Sequence, residues 1–130
     1  MNIAITGEGI ISAIGTNKEE VLQSLLAHKS GIKEMQFLQS VHHELPVGEV
    51  ALSNEQMKKR LDIPEKQLMS RTELMGILAV RHALEDAGIN LSAVSASNKK
   101  IVLVSGTTVG GMDLTEQSFN SLYEQFQSQQ

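Results

Sequence analysis

Residues 101–111 read IVLVSGTTVGG and are the most informative segment of the chain. The first four form an unbroken apolar run with three β-branched members, which is typical of an interior strand in a parallel sheet. The remainder, 105–111, predicts a loop, because glycine permits positive φ angles and close approach of the backbone. A buried strand that leads into such a loop indicates an α/β protein.

A helix is predicted on each side of this segment. The pattern from about Glu65 to Ala87 is the longest in the chain, and Gly88 is placed to end it. After the loop, Asp113 can cap a final helix, with Glu116 at the N3 position. The apolar positions of this final helix recur at helical spacing: Phe119, Leu122, Tyr123 and Phe126. Such an apolar face needs a partner.

The N-terminal region shows the same order of strand, glycine loop and helix. Residues 3–6 are short, apolar and β-branched, and a glycine-rich stretch, 7–15, comes after them. Thr16 or Asn17 can cap the next helix, because a glutamate stands three residues after each. Gly31 is expected to end that helix. Strands that alternate with helices predict an α/β layered fold.

The stretch 32–67 carries the weakest signal. Residues 46–52 could form a third strand, since Pro46 suits a first strand position and the valines favour extended structure. The basic cluster 58–60 is interpreted as a solvated helix or loop face. Two clear strands and a possible third are few for a complete parallel sheet, so the chain is expected to be an incomplete part of a larger fold.

The composition excludes several classes of protein. The chain has 130 residues, of which 41% are hydrophobic and 20% charged, so one ordinary globular domain is expected. A net charge of −4 offers no broad basic face for nucleic acid. No apolar run approaches the roughly 20 residues of a membrane span, and the first residues lack a signal-peptide pattern. A cytoplasmic protein that binds neither nucleic acid nor membrane is therefore predicted.

The first glycine loop invites a dinucleotide-binding hypothesis. A strand runs into Gly7-Glu8-Gly9, but Ser12 stands where the Rossmann fingerprint needs its third glycine. The charge of Glu8 would also repel a pyrophosphate. A structural connection is the better interpretation of this loop. The second loop, 106–111, lacks the Gly-Lys-Ser/Thr of a P-loop and suits either a tight turn or the wall of a narrow pocket.

Residue types with reactive or metal-binding potential form no recognisable pattern. There is no cysteine, which excludes disulfides, thiolate ligands and a cysteine nucleophile within these residues. None of the four histidines is followed by a second histidine at helical spacing, so no metal site is predicted. They are His28, His42, His43 and His82.

Several segments have a recognisable order and spacing. Residues 5–15 read ITGEGIISAIG, 25–32 read LLAHKSGI, 71–73 read RTE, 83–88 read ALEDAG and 106–111 read GTTVGG. Together they resemble the N-terminal part of the β-ketoacyl-acyl-carrier-protein synthases, the elongating condensing enzymes of fatty-acid and polyketide synthesis. Ala13 replaces the family's usual proline, and Thr108 replaces a usual glycine in the second loop.

The resemblance implies a fold and a reaction. The fold is thiolase-like, with α-β-α-β-α layers, usually in a homodimer. An acyl group passes from the phosphopantetheine of an acyl carrier protein to a cysteine, and a decarboxylating malonyl-carrier then attacks the thioester. That cysteine and two histidines would come after Gln130, so no catalytic residue is expected in this chain. No metal or protein-bound cofactor is implied.

The resemblance also implies which residues face the substrate. Thr107, Thr108, Val109 and Gly110 match the loop that lines the acyl pocket, and Val109 matches its gating side chain. Residues 1–130 are accordingly interpreted as a fragment that ends before the nucleophile, has no condensing activity by itself and forms an oligomer. The alternatives are a non-catalytic partner similar to a chain-length factor and, third, a dinucleotide-binding module.

Overall fold

The computed structural model describes residues 2–38, 40–95 and 100–127. The described residues form five helices and one small sheet. The helices are α1 Lys18–Leu26, α2 Asn54–Leu61, α3 Arg71–Asp86, α4 Leu91–Ser95 and α5 Met112–Gln127. The strands β1 Ile32–Lys33 and β2 Val47–Gly48 are antiparallel, with Ile32 opposite Gly48. Of the possible third strand at 46–52, two residues are therefore confirmed as strand.

Helix α3 is the centre of the structure, as its apolar surface predicts. It begins at Arg71 rather than near Glu65, because Ser70 caps it: the Ser70 hydroxyl accepts the Glu73 N–H, and the Glu73 carboxylate accepts the Ser70 N–H at 2.8 Å. Its end is as predicted, with Gly88 at φ +64° just beyond Asp86.

The core lies between α3 and α2. Its buried members are Leu52, Met57, Leu74 and Leu78. Partly buried apolar side chains surround them: Ile11, Val50, Leu61, Ile63, Met69 and Met75. Helix α2 was not predicted, although its capping box was visible in the sequence as Ser53 followed three residues later by Gln56.

Helix α1 begins as predicted. The Asn17 side chain accepts the Glu20 N–H at 2.8 Å, and the Glu20 carboxylate accepts the Thr16 N–H in return. The expected stop at Gly31 is wrong, since α1 ends at Leu26. The chain turns there through His28, which adopts a φ of +51°.

The two strands predicted at 3–6 and 101–104, named here the two apolar segments, are not strands in the structure. Their side chains are largely exposed: Ile3 by 92%, Val102 by 81% and Val104 by 90%. A strand is defined by hydrogen bonds to a neighbouring strand, and within the described residues neither segment has one. The parallel sheet predicted from the sequence is therefore not formed in this part of the chain.

The surface is large for the mass. The chain exposes 10643 Å², whereas a compact protein of this mass is expected to expose roughly 6,800 Å². The exposed apolar side chains include those of the two apolar segments and Phe119 and Tyr123 of α5, whose rings stack at 6.3 Å. The side chains of Leu122 and Phe126 lie outside the described residues.

Candidate functional site

An apolar groove runs along α3 beneath the second glycine loop. Its volume is about 820 Å³. One wall is α3, from Thr72 to Val80, and the other is the chain from Leu103 to Gly111. Most of its accessible lining comes from apolar side chains, including Met69, Ile77, Val80, Leu103 and Leu114. A groove of this size and character suits an extended hydrocarbon chain.

The glycine loop closes one side of the groove. Thr107 and Gly110 line it, whereas Thr108 and Val109 are not among the lining residues, and Val109 is 69% exposed. A Cβ on Gly110 would lie 3.1 Å from the Thr107 hydroxyl within the loop and 3.4 Å from the Thr72 methyl on α3, so the loop lies close to α3 at this point. The loop is therefore a pocket wall as well as a turn.

The end of the loop is fastened to α3. Gly111 adopts a φ of +80°, and α5 begins at the next residue. The Asp113 carboxylate then accepts the backbone N–H of Arg71 at 2.9 Å. Arg71 is the first residue of α3, so its N–H has no partner within its own helix. The prediction that Asp113 caps α5 is wrong, since α5 begins at Met112 and Asp113 lies in its first turn; the Asp113 carboxylate satisfies this end of α3 instead.

The Arg71 side chain points away from the groove and holds the segment before α2. Its guanidinium donates to the carbonyls of Val50 and Leu52, both at 2.8 Å, and to the Asn54 side chain at 3.1 Å. It also lies over the Phe37 ring, 5.3 Å from the centroid. Arg71 belongs to the RTE motif, but nothing in the sequence indicated these partners, which are 17 to 34 positions away.

Glu49 holds the backbone of residues 36–38 in place. Its carboxylate accepts the backbone N–H groups of Gln36, Phe37 and Leu38 at 2.5 to 3.1 Å. Burial alone would raise the pKa of Glu49, but the three hydrogen bonds and the nearby Arg71 outweigh it, and the pKa is lowered. The sequence contained no signal for this role.

The first glycine loop packs against the C-terminal half of α3. A Cβ on Gly9 would lie 1.9 Å from the Ala79 carbonyl oxygen, and one on Gly7 would lie 2.3 Å from that of Ala83. These glycines therefore serve close packing on a helix. A phosphate bound here would need backbone N–H donors of this loop. The Glu8 N–H is already used, because it donates to the Asp86 carboxylate at 2.9 Å.

Asp86 places a negative charge beside the first glycine loop, and its carboxylate is hydrogen-bonded by Glu8 and Lys18. Lys18 donates to its carboxylate at 2.5 Å, and this hydrogen bond, followed by that of Glu8, holds the pKa of Asp86 below its ordinary value. A pyrophosphate would have to displace this carboxylate. The geometry gives the dinucleotide-binding hypothesis no support.

The histidines and acidic residues do not assemble into a metal centre. In the part of the chain that the structure describes, no group of three or more potential ligands could hold a metal ion. His42 contacts Glu44 at 3.3 Å, and the Nδ1 atom of His82 is buried without a hydrogen-bond partner. No helix among the described residues has the length and apolar character of a membrane span.

Comparison with known proteins identifies the class to which this fold and groove belong. The family described as the N-terminal domain of β-ketoacyl synthases matches residues 1–129, and the chain belongs to this family. The family implies a thiolase-like fold, of which the five helices and the two-stranded sheet form only a part. The resemblance found in the sequence motifs is thereby confirmed.

The similar curated proteins are synthases of two kinds. The chain is 38% identical over 104 residues to 3-oxoacyl-[acyl-carrier-protein] synthase 1 of Haemophilus influenzae, covering 79% of this chain and 25% of the relative. It is 34% identical over 107 residues to synthase 1 of Escherichia coli K12 (82% and 25% covered). It is 27% identical over 124 residues to synthase 2 of Vibrio cholerae (94% and 29% covered).

These relatives are much longer than the chain. It spans about a quarter of the length of the curated synthases it matches most strongly. No solved structure gives a significant match.

Proposed function

We propose that this chain is the N-terminal part of a β-ketoacyl-acyl-carrier-protein synthase and forms one wall of its acyl pocket. The observation that carries the proposal is the apolar groove between α3 and the 106–111 loop, in a chain that matches the family over residues 1–129. The substrates would be an acyl thioester and a malonyl group on the phosphopantetheine of an acyl carrier protein. The site of action would be the cytoplasm, in fatty-acid or polyketide synthesis.

In this proposal the chain binds the acyl substrate and supplies no group that forms or breaks a covalent bond. Each methylene buried in the groove would contribute about 0.8 kcal/mol, and Thr107 and Gly110 would fix the position of the acyl chain. Condensation also needs a thiolate that attacks the thioester and N–H groups that hold the oxyanion. The chain has no cysteine to supply that thiolate.

We expect the 130-residue chain alone to form no 3-oxoacyl product. In a chimera, the chain replaces the matching quarter of the E. coli synthase 1. We expect this chimera to condense an acyl thioester with malonyl-carrier, because the groove would be joined to the relative's reactive groups. Product formation is measured by mass spectrometry of the carrier protein.

The matched control is the same chimera with the relative's nucleophilic cysteine changed to alanine, which should abolish the product. Condensation by the isolated chain would contradict the expectation that the nucleophile lies outside these 130 residues. A folded chimera without activity would contradict the proposed function.

The non-catalytic alternative differs from the enzyme at a position that these 130 residues do not include. A partner similar to a chain-length factor would share the groove and the loop but would lack the nucleophilic cysteine. Sequencing the gene beyond the codon for Gln130 distinguishes them: a cysteine at the head of a further helix would support the enzyme, and another residue at that position would support the partner.

The proposal includes self-association through the two apolar segments. The chain exposes more surface than a compact protein of the same mass would. The difference is several times the roughly 800 Å² that each partner buries in a standard interface. Unpaired extended segments with exposed valines and isoleucines also offer free backbone groups to a second copy. A second copy of this chain is therefore expected to cover them.

We expect the chain to form dimers or larger species at micromolar concentration in sedimentation velocity. Changing Val102 and Val104 together to lysine should shift the population to monomer, because charges would be buried in the contact. The matched control changes Val41 and Leu68 to lysine, which are exposed apolar residues elsewhere. A monomeric wild-type chain, or equal effects of both pairs, would contradict this contact.

A further inference from the structure

A hydrogen bond joins the end of the groove wall to the first turn of α3. The Asp113 carboxylate accepts the Arg71 N–H at 2.9 Å. Three residues earlier, Gly110 lies near Thr72, the next residue of α3, because a Cβ added to Gly110 would be 3.4 Å from the threonine methyl group. The hydrogen bond therefore fastens the end of the loop where the loop lies close to α3.

The Asp113 contact is favourable for a reason beyond the hydrogen bond itself. The N-terminus of a helix carries a partial positive charge, and Asp113 lies in the first turn of α5 while bonded to the first residue of α3. Its carboxylate therefore lies at two helix N-termini. The Arg71 guanidinium is directed to Val50, Leu52 and Asn54, so the backbone N–H of Arg71 is what holds Asp113.

Residues near Asp113 line the groove, although Asp113 itself lines the neighbouring hollow beside Arg71. Gly110 and Gly111 precede it and Leu114 comes directly after it, and all three are lining residues. Gly111 has a φ of +80°, and a Cβ added to it would meet no atom within 4 Å. The Asp113 hydrogen bond is a polar link between the end of the loop and α3.

We propose that Asp113 is a positioning residue that sets the width of the groove and thereby the length of acyl chain that it accepts. The proposal rests on the proposed function, because it assumes that the groove takes the acyl chain. Asp113 would act through the loop and would not touch the substrate. The chemical class of ligand is a straight-chain fatty acyl group.

The test measures binding of fatty acids of 8 to 16 carbons to the full 130-residue chain, by displacement of a fluorescent fatty acid. The wild-type chain should show an optimum length. The Asp113→Ala variant should bind the optimum acid about tenfold more weakly and shift the optimum by two or more carbons. Asp113→Asn retains an acceptor oxygen of the same reach, so it should restore most of the affinity and the original optimum.

The matched control is Glu116→Ala, which removes the same charge one turn later in α5. Glu116 and Asp113 both line the neighbouring hollow beside Arg71 and neither lines the groove, so the two variants differ in the hydrogen bond of Asp113 to the Arg71 N–H. Its length profile should equal that of the wild type. An equal loss of affinity at every length in Asp113→Ala would indicate a purely structural role and overturn the proposal.

Amide hydrogen exchange separates failure of this inference from failure of the proposed function. Exchange at residues 106–111 should be several-fold faster in Asp113→Ala than in the wild type or in Glu116→Ala, whether or not a fatty acid binds. Unchanged exchange overturns the positioning role. If exchange is faster in Asp113→Ala but the wild type binds no fatty acid, the link between Asp113 and the loop stands. The acyl groove is then overturned, and with it the role of Asp113 in acyl length.

Discussion

Replacing Leu74 with alanine is expected to remove most of the stability of the folded chain. Leu74 is 0% exposed and packs in the centre of the core with Met57 and Leu78. A buried leucine changed to alanine costs about 2–5 kcal/mol, through lost burial and the cavity that remains. The core has few buried members, so a total stability near the lower end of the usual range of roughly 5–15 kcal/mol is expected. Urea unfolding followed by circular dichroism measures the loss.

The control for this substitution is Leu68→Ala. Leu68 is exposed and precedes the cap of α3, so the same change in chemistry should alter the free energy of unfolding by less than about 0.5 kcal/mol. A loss below about 1 kcal/mol for Leu74→Ala would show that the stability of the chain does not reside between α2 and α3.

Replacing Gly9 with alanine is expected to release the N-terminal segment from α3. The new Cβ would lie 1.9 Å from the Ala79 carbonyl oxygen and 2.7 Å from the Ala83 nitrogen. Both are backbone atoms of a helix, so they cannot move aside as a flexible side chain could. Forcing one methyl group into such a contact costs about 1–3 kcal/mol or more. Thermal unfolding, together with faster amide exchange at residues 5–12, measures the effect.

Gly76→Ala provides a matched control of opposite sign. Gly76 lies in the interior of the same helix, and an added Cβ would meet no atom within 4 Å. Alanine should therefore stabilise α3 by about 0.5–1 kcal/mol, because glycine loses more conformational freedom on folding. Equal effects of the two substitutions would contradict the close packing of Gly9 on α3.

Local signals in the sequence predicted the helices best. The cap at Asn17 depends on a residue three positions away and the end of α3 on a nearby glycine, so sequence spacing contains what is needed. The Ser70 cap has the same spacing to Glu73 but was not predicted. Residues 3–6 and 101–104 were predicted as strands from composition alone. A strand needs a hydrogen-bonded neighbour, and the apolar pattern does not contain that information.

The groove was only partly predictable. The glycines of 106–111 indicated a close approach, and the family resemblance indicated a pocket wall, but of the four residues carried over only Thr107 and Gly110 line the groove. The links of Arg71 to Val50 and Asp113 join positions 21 and 42 residues apart. Spacing rules describe neighbours within a turn or two, so such links become visible only when the chain is folded.

The arrangement of the core has a consequence for how the chain folds during synthesis. All four of its fully packed members lie between residues 52 and 78, and α2 and α3 are consecutive helices. Contacts of such short sequence separation form fast, and N-terminal regions fold first as a chain leaves the ribosome. Helices α2 and α3 can thus begin to pack while the 106–111 loop is still inside the ribosome, and each later segment would be added to a scaffold that already exists.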